Sequence, residues 1–109
     1  MGVVSCPVTT VRAPLEVVWG LLAEPEAYES WADAELVSAD PPGPLHAGQV
    51  LEMRTSGFGR SWPVRFDVVE ADAAKHRIAL DVHLPLGVVN HEVITCRAVS
   101  EDRTWVGFN

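Results

Sequence analysis

Apolar side chains recur at helical spacing near the start of the chain. Pro14 precedes this segment and suits the first turn of a helix. Gly20 lies inside it and weakens a helix relative to alanine, so we expect another element to approach the backbone there. The segment therefore predicts a helix with one buried stripe, formed by Leu15, Val18, Trp19 and Leu22.

A second short helix is predicted from Pro25, with Tyr28 and Trp31 one turn apart on the same face. From Ala34 onward apolar and polar residues alternate, and clusters of Pro, Gly or Asp mark turns about every 10 residues, which is typical of an antiparallel sheet. The chain thus predicts seven strands: Val3 to Val11, one near Leu36, Gln49 to Ser56, Ser61 to Glu70, Arg77 to His83, Val88 to Ala98 and Thr104 to Phe108.

The alternation also assigns the two faces of the sheet. Polar side chains such as Arg65, Asp67 and His91 share one face, and Trp105 falls on that face as well. The other face is apolar and carries Leu51, Met53, Trp62, Val64, Phe66, Val68, Ile78, Leu80, Val82, Ile94, Cys96, Val106 and Phe108. One face is therefore expected to meet water and the other to be covered.

This order of elements resembles the START-like helix-grip (SRPBCC) superfamily, which includes polyketide cyclases and dehydrases and lipid-transport domains. The resemblance rests on Ala13 to Trp19, on Pro25 to Trp31, on Gly43 to Gly48 leading into Gln49 to Arg54, and on Trp62 to Glu70. It implies an α+β fold in which a curved antiparallel sheet follows two short helices. It also implies a cavity for an apolar ligand between the sheet and a long C-terminal helix.

The sequence stops before that long helix, and no remaining segment is predicted to cover the apolar face. We therefore expect residues 1–109 to form a single START-like domain that is truncated at its C-terminus, or whose apolar face is covered by a second copy or another protein. A homodimer through the uncovered face is one form of this expectation.

Composition narrows the classes of partner. The net charge of −7 leaves no basic surface for nucleic acid. The first residues lack the basic region and apolar run of a signal peptide, and no apolar run approaches the ~20 residues of a membrane span. We therefore expect a cytoplasmic protein without membrane insertion. Cys6 and Cys96 are predicted to be buried, reduced thiols.

The four histidines, His46, His76, His83 and His91, are dispersed over a loop, a turn and the polar face. A zinc site of the helical type needs two imidazoles one turn apart, and no segment provides that spacing. The sequence therefore indicates neither a metal site nor a cofactor.

Glu92 is the one candidate for catalysis. In the register that buries Ile94 it lies on the apolar side with Asn90, where a desolvated carboxyl group could act as a general acid or base, with Asn90 or Arg54 as its partner. The alternative is that the strand frays and Glu92 reaches solvent at the cavity mouth. The predicted ligand-binding set is Tyr28, Trp31, Met53, Trp62, Phe66, Leu80, Asn90 and Glu92.

Three functions follow from this interpretation. The first is binding of a small hydrophobic molecule, such as a lipid, quinone or polyketide, against the apolar face. The second, implied by the resemblance, is an enzyme of the cyclase or dehydrase type that uses polar residues of the cavity. The third is a regulatory or interaction module that docks another protein on the apolar face.

Overall fold

The computed structural model describes residues 8–32, 34–57 and 59–108. A short strand, one α-helix and one 3₁₀ helix are followed by six further strands, and a single 3₁₀ turn at Pro85–Gly87 links the fifth strand to the sixth. Their bounds are β1 Val8–Val11, α1 Leu15–Leu22, the 3₁₀ helix Pro25–Ser30, β2 Glu35–Asp40, β3 Val50–Gly57, β4 Arg60–Asp72, β5 Arg77–His83, β6 Val89–Ser100 and β7 Arg103–Phe108. The part of the first predicted strand before Val8 lies outside the described residues.

All seven strands form one antiparallel sheet in the order β1-β7-β6-β5-β4-β3-β2. The register shifts within three pairs of strands, between Leu36 and Ser38, Val68 and Glu70, and Ala98 and Ser100. Bulges of this kind bend a strand and increase its twist, so they favour a curved sheet. The predicted fold class, a curved antiparallel sheet with two short helices after the first strand, is confirmed.

Helix α1 begins after Pro14 and packs on β6 and β7. It buries Val18 and Leu22, while Trp19 is partly buried against the same core. These residues belong to the stripe that the helical spacing predicts. A side-chain hydrogen bond ties the helix to the sheet, because the buried Thr104 donates from Oγ1 to the Ala13 carbonyl oxygen at 2.8 Å.

We call the face that α1 covers the concave face and the opposite one the convex face. The register places Leu51 beside Phe66, and Leu80 beside Glu92, which extends the rows of concave-face side chains across the strands. Most of the core lies here. Its buried members are Val18, Leu22, Tyr28, Leu45, Leu51, Met53, Val64, Val68, Ile78, Leu80, Ile94, Cys96 and Val106.

The expectation that no segment of this chain covers the apolar face is wrong. Leu51, Leu80 and Ile94 are at most 4% exposed, although no long helix follows β7 within the described residues. The cover comes from α1, from the 3₁₀ helix and from neighbouring concave-face side chains. Only half-exposed positions are therefore left for a ligand or for a second copy.

Gly20 does not mark a close approach of another element. The residue is exposed, and a Cβ built on it meets no atom within 4 Å. Glycine here only weakens the helix, because it gains backbone freedom in the unfolded chain.

Gly20→Ala is therefore expected to raise the free energy of unfolding by about 0.5–1 kcal/mol. Urea unfolding followed by circular dichroism measures the change. A lower stability of the variant would show that the helix packs more tightly at this position than the structure indicates.

Two further observations concern membrane-spanning helices and the two cysteines. Among the described residues, no helix combines the length and hydrophobicity needed to cross a bilayer. Cys96 is a buried free thiol whose pKa is raised by burial, whereas Cys6 lies outside the described residues.

Candidate functional site

Part of the concave face remains open to solvent. Phe66, Val82 and Asn90 form one row across β4, β5 and β6, because the register pairs Phe66 with Val82 and Val82 with Asn90. Phe66 and Val82 are half-buried and Asn90 is exposed. With the neighbouring Trp31, Glu92 and Phe108 they form what we call the window, which therefore consists of Trp31, Phe66, Val82, Asn90, Glu92 and Phe108.

Tyr28 of the 3₁₀ helix and Trp31 directly after it make ring contacts with Phe66 and Phe108. Tyr28 lies 6.3 Å from Phe66 between ring centroids, and Trp31 lies 6.4 Å from Phe108. Tyr28 and Trp31 meet edge to face at 4.6 Å, a favoured geometry for aromatic pairs. Four aromatic residues thus connect β4 to β7 across the concave face.

Tyr28 anchors this arrangement. Its side chain is fully buried, and its hydroxyl donates a hydrogen bond of 2.7 Å to the Leu22 carbonyl oxygen at the end of α1. Burial raises the pKa of the Tyr28 phenol well above its ordinary value, with a smaller contribution from the negative charge of Glu24. The phenol therefore stays protonated and continues to donate.

Asn90 and Glu92 are the polar members of the window. Glu92 is half-buried and lies opposite Leu80, with Ile94 two positions further along its own strand. Among the described residues, neither side chain has a hydrogen-bond or ion-pair partner. The sheet thus holds an unpaired carboxyl group and an amide side by side in apolar surroundings.

Arg54 lies away from this pair. It is exposed and follows Met53, which faces the concave side, so Arg54 points to the convex side beside Glu35 and Pro63. The structure therefore leaves Asn90 as the nearest polar neighbour of Glu92 on that face.

Of the other predicted ligand contacts, Met53 and Leu80 are 2% and 4% exposed, so they belong to the buried part of the concave face next to the window, which we call the floor. Trp62 is half-buried further along β4, beside Thr55, and its indole Nε1 donates to the Gly57 carbonyl oxygen at 3.0 Å. The guanidinium of Arg60 lies 4.3 Å from the Trp62 ring centroid. Trp62 is therefore held at the β3–β4 turn, apart from the other aromatic residues of the set.

Two open clefts flank the 3₁₀ helix, and both include Glu29. The first, of about 480 Å³, lies against β2 and is lined by Glu24 and Glu26 as well. The second, of about 600 Å³, lies beside Arg54 and Ser56. The first cleft carries three carboxylates and the second carries Glu29, Glu35 and Arg54, whereas Glu92 is the one charged member of the window. Because charged groups are poor partners for apolar surface, the window suits a hydrophobic molecule better than these clefts do.

The convex face carries ion pairs between neighbouring side chains, and an open cleft of about 330 Å³ lies on it beside Val93 and Trp105. Asp67 bonds to Arg65 at 3.0 Å and to His83 at 2.8 Å. His91 bonds to Asp81 on the neighbouring strand. In the part of the chain that the structure describes, no three histidine, cysteine or acidic side chains are grouped so that they could hold a metal ion.

The sequence did not indicate the contacts that shape the window. Helical spacing paired Tyr28 with Trp31, but the contact of Trp31 with Phe108 joins residues 77 positions apart by number. Arg60 over Trp62 could have been found from the alternation, because residues two apart share a face of a strand.

Comparison with known proteins gives the same fold. Protein Ms6760 from Mycobacterium smegmatis aligns at 15% identity and a TM-score of 0.69. An aromatase/cyclase from a Streptomyces species aligns at 21% identity and a TM-score of 0.64. Norcoclaurine synthase from Thalictrum flavum, solved with dopamine and hydroxybenzaldehyde, aligns at 15% and 0.65.

These alignments cover 94–95% of this chain but 68%, 63% and 65% of the three other chains, respectively. The chain thus spans about two thirds of the length of these proteins. A search of curated protein sequences finds no match. At family level, residues 7–107 match the model described as polyketide cyclase/dehydrase and lipid transport. Because that match takes in nearly the whole sequence, the chain belongs to the polyketide cyclase/dehydrase and lipid-transport family.

Proposed function

We propose that the chain binds a small hydrophobic molecule, of the lipid, quinone or polyketide class, at the window of the concave face. The observation that carries this proposal is the group of half-exposed apolar side chains next to the buried floor. Phe66, Val82 and Phe108 present carbon surface that gains from contact with a hydrophobic molecule. The family description, with its reference to cyclases and lipid transport, supports the same class of ligand.

The aromatic members give the surface its preference for flat molecules. Trp31 is 36% exposed, and its indole nitrogen donates to the Leu21 carbonyl oxygen at 3.2 Å, which fixes the ring plane. A ring held in this way loses little conformational entropy on binding. It can stack on, or meet edge to face, an aromatic or conjugated ligand.

Nile red, a neutral apolar dye, tests the proposal because the net charge of −7 does not repel it. We expect Trp31→Ala to weaken the binding of Nile red by about tenfold, since a large aromatic contact is lost. Fluorescence titration gives the affinity, and urea unfolding checks that the variant is folded.

The matched control is Trp105→Ala, which removes the same side chain from the convex face. There the Trp105 ring lies under the guanidinium of Arg97, 4.4 Å from its centroid. Nile red should bind this variant as tightly as the wild type. Equal loss in the two variants, or unchanged affinity in Trp31→Ala, would place the dye elsewhere and contradict the proposal.

A second candidate function is an enzyme of the cyclase or dehydrase type, and the position of Glu92 favours it. A carboxyl group that meets the ligand beside Asn90 could move protons during ring closure or loss of water. In that case Glu92→Gln should keep Nile red binding but abolish the dehydration of a poly-β-ketone thioester. Mass spectrometry detects this reaction as a loss of water from the substrate. If the wild type forms no such product, the enzyme hypothesis is contradicted and hydrophobic binding is the function that remains.

A further inference from the structure

Glu92 differs from the other acidic residues of the three central strands. On β4 and β5, Asp67 bonds to Arg65 and His83, Glu70 to Arg77, and Asp81 to His91. Asp72 accepts from the backbone amides of Ala74 and Lys75 in the following turn. Within the described residues, Glu92 alone among the acidic side chains of β4, β5 and β6 has no partner.

The surroundings of Glu92 do not replace such a partner. Its cross-strand neighbour is Leu80, and the flanking positions on its own face of β6 are Asn90 and Ile94. On the same face, Phe66 lies beside Val82 and Val82 beside Asn90, while Ile94 lies beside Phe108. Ring contacts through Trp31 and Tyr28 connect Phe108 back to Phe66. The side chains around Glu92 are thus apolar, aromatic or amide groups, and none of them is charged.

A half-buried carboxylate without a protein partner is free to accept a charge-assisted hydrogen bond, which is stronger than one between neutral groups. Because a carboxylate offers acceptors only, its complement is a hydroxyl or an ammonium group. We infer that the ligand of the window is amphipathic, with an apolar ring system on Phe66 and Trp31 and a donor group directed at Glu92. This inference rests on the proposed function and specifies the class of molecule bound.

Three naphthalene derivatives of similar size test it. Naphthol carries a hydroxyl donor, naphthylmethylamine an ammonium donor, and methoxynaphthalene no donor. We expect wild-type protein to bind at least one of the two donors about tenfold more tightly than methoxynaphthalene, as a hydrogen bond to a charged group implies. Quenching of tryptophan fluorescence or calorimetry gives the three affinities, and the stronger donor identifies the head group.

Two substitutions at Glu92 separate charge from hydrogen bonding. In Glu92→Leu all three probes should bind alike, because no acceptor remains. In Glu92→Gln the amide oxygen still accepts, so naphthol should keep part of its advantage while naphthylmethylamine loses most of its own. Glu52→Leu is the matched control, since Glu52 is exposed on the convex face opposite Arg65, and it should retain the wild-type order of affinities.

The outcomes distinguish this inference from the proposed function. Equal binding of the three probes by the wild type would overturn the role of Glu92 while leaving hydrophobic binding intact. A donor preference that survives in Glu92→Leu would overturn it as well. If none of the probes and no Nile red binds the wild type, the proposed function fails and the inference fails with it.

Discussion

Replacing Tyr28 with alanine is expected to lower the free energy of unfolding by about 3–5 kcal/mol, the usual cost of removing a large buried aromatic ring. The side chain is 0% exposed and contacts both Trp31 and Phe66. Its loss would leave a cavity under the 3₁₀ helix and an unpaired carbonyl at Leu22. Since small domains have only about 5–15 kcal/mol of stability, much of it should disappear, as urea unfolding would measure.

Tyr28→Phe separates the ring from its hydroxyl. This variant keeps the aromatic contacts and should lose only about 1–2 kcal/mol for the hydrogen bond to Leu22. Equal losses in the alanine and phenylalanine variants would contradict the assignment of most of the stabilisation to the ring.

Alkaline pH provides an independent check on the same residue. The pKa of Tyr28 is raised in the folded state, so the unfolded chain loses this proton first as the pH increases. The contribution to stability is complete below the ordinary tyrosine pKa of about 10 and declines above it. Tyr28 is the chain's only tyrosine. Phenolate absorbance should therefore appear together with unfolding, and Tyr28→Phe should lack this part of the pH dependence.

Leu80→Ala is expected to cost about 2–4 kcal/mol, because the side chain belongs to the floor next to the window and is 4% exposed. The space it leaves lies between Val68 and Glu92 in the same row of the sheet. Nile red affinity should be maintained or increased, since the window next to the floor is unchanged. Denaturant unfolding and dye titration on the same preparation report both quantities.

The same substitution at Leu86 is the control for Leu80. Leu86 lies in the turn between β5 and β6 and is 97% exposed. Leu86→Ala should change the free energy of unfolding by no more than about 0.5 kcal/mol. A large loss of dye affinity in Leu80→Ala with unchanged stability would instead make Leu80 a direct ligand contact.

The alternation of apolar and polar residues was sufficient to predict the strands. It placed Trp62, Phe66 and Leu80 on one face and Trp105 on the other, as the register confirms. Period-two patterning is unambiguous when one face is buried, because a slip by one residue would reverse every side chain. The buried stripe of α1 was also predicted, because a helix with one buried face repeats its apolar residues every three to four positions.

The tertiary cover of the sheet could not be derived in this way. Periodicity shows which side of a helix is buried but not where on the sheet it packs, so the buried state of Leu51 and Met53 was missed. Gln49 shows the same limit. This polar residue is fully buried, and its side-chain amide donates to the carbonyl oxygens of Pro41 and Gly43 at 2.8 and 3.1 Å. Such contacts depend on the path of the loop.

The position of β1 has a consequence for how the protein is made. Val8 is paired with Gly107, so of the seven strands of this sheet the first to be synthesised completes its hydrogen bonds with the last. The hairpins from β2 to β6 can assemble while translation proceeds, whereas β1 must wait for β7 before it can pair. During that interval the β6 edge and β1 are unpaired in the nascent chain. Chaperone binding and early aggregation should therefore concentrate on these two strands.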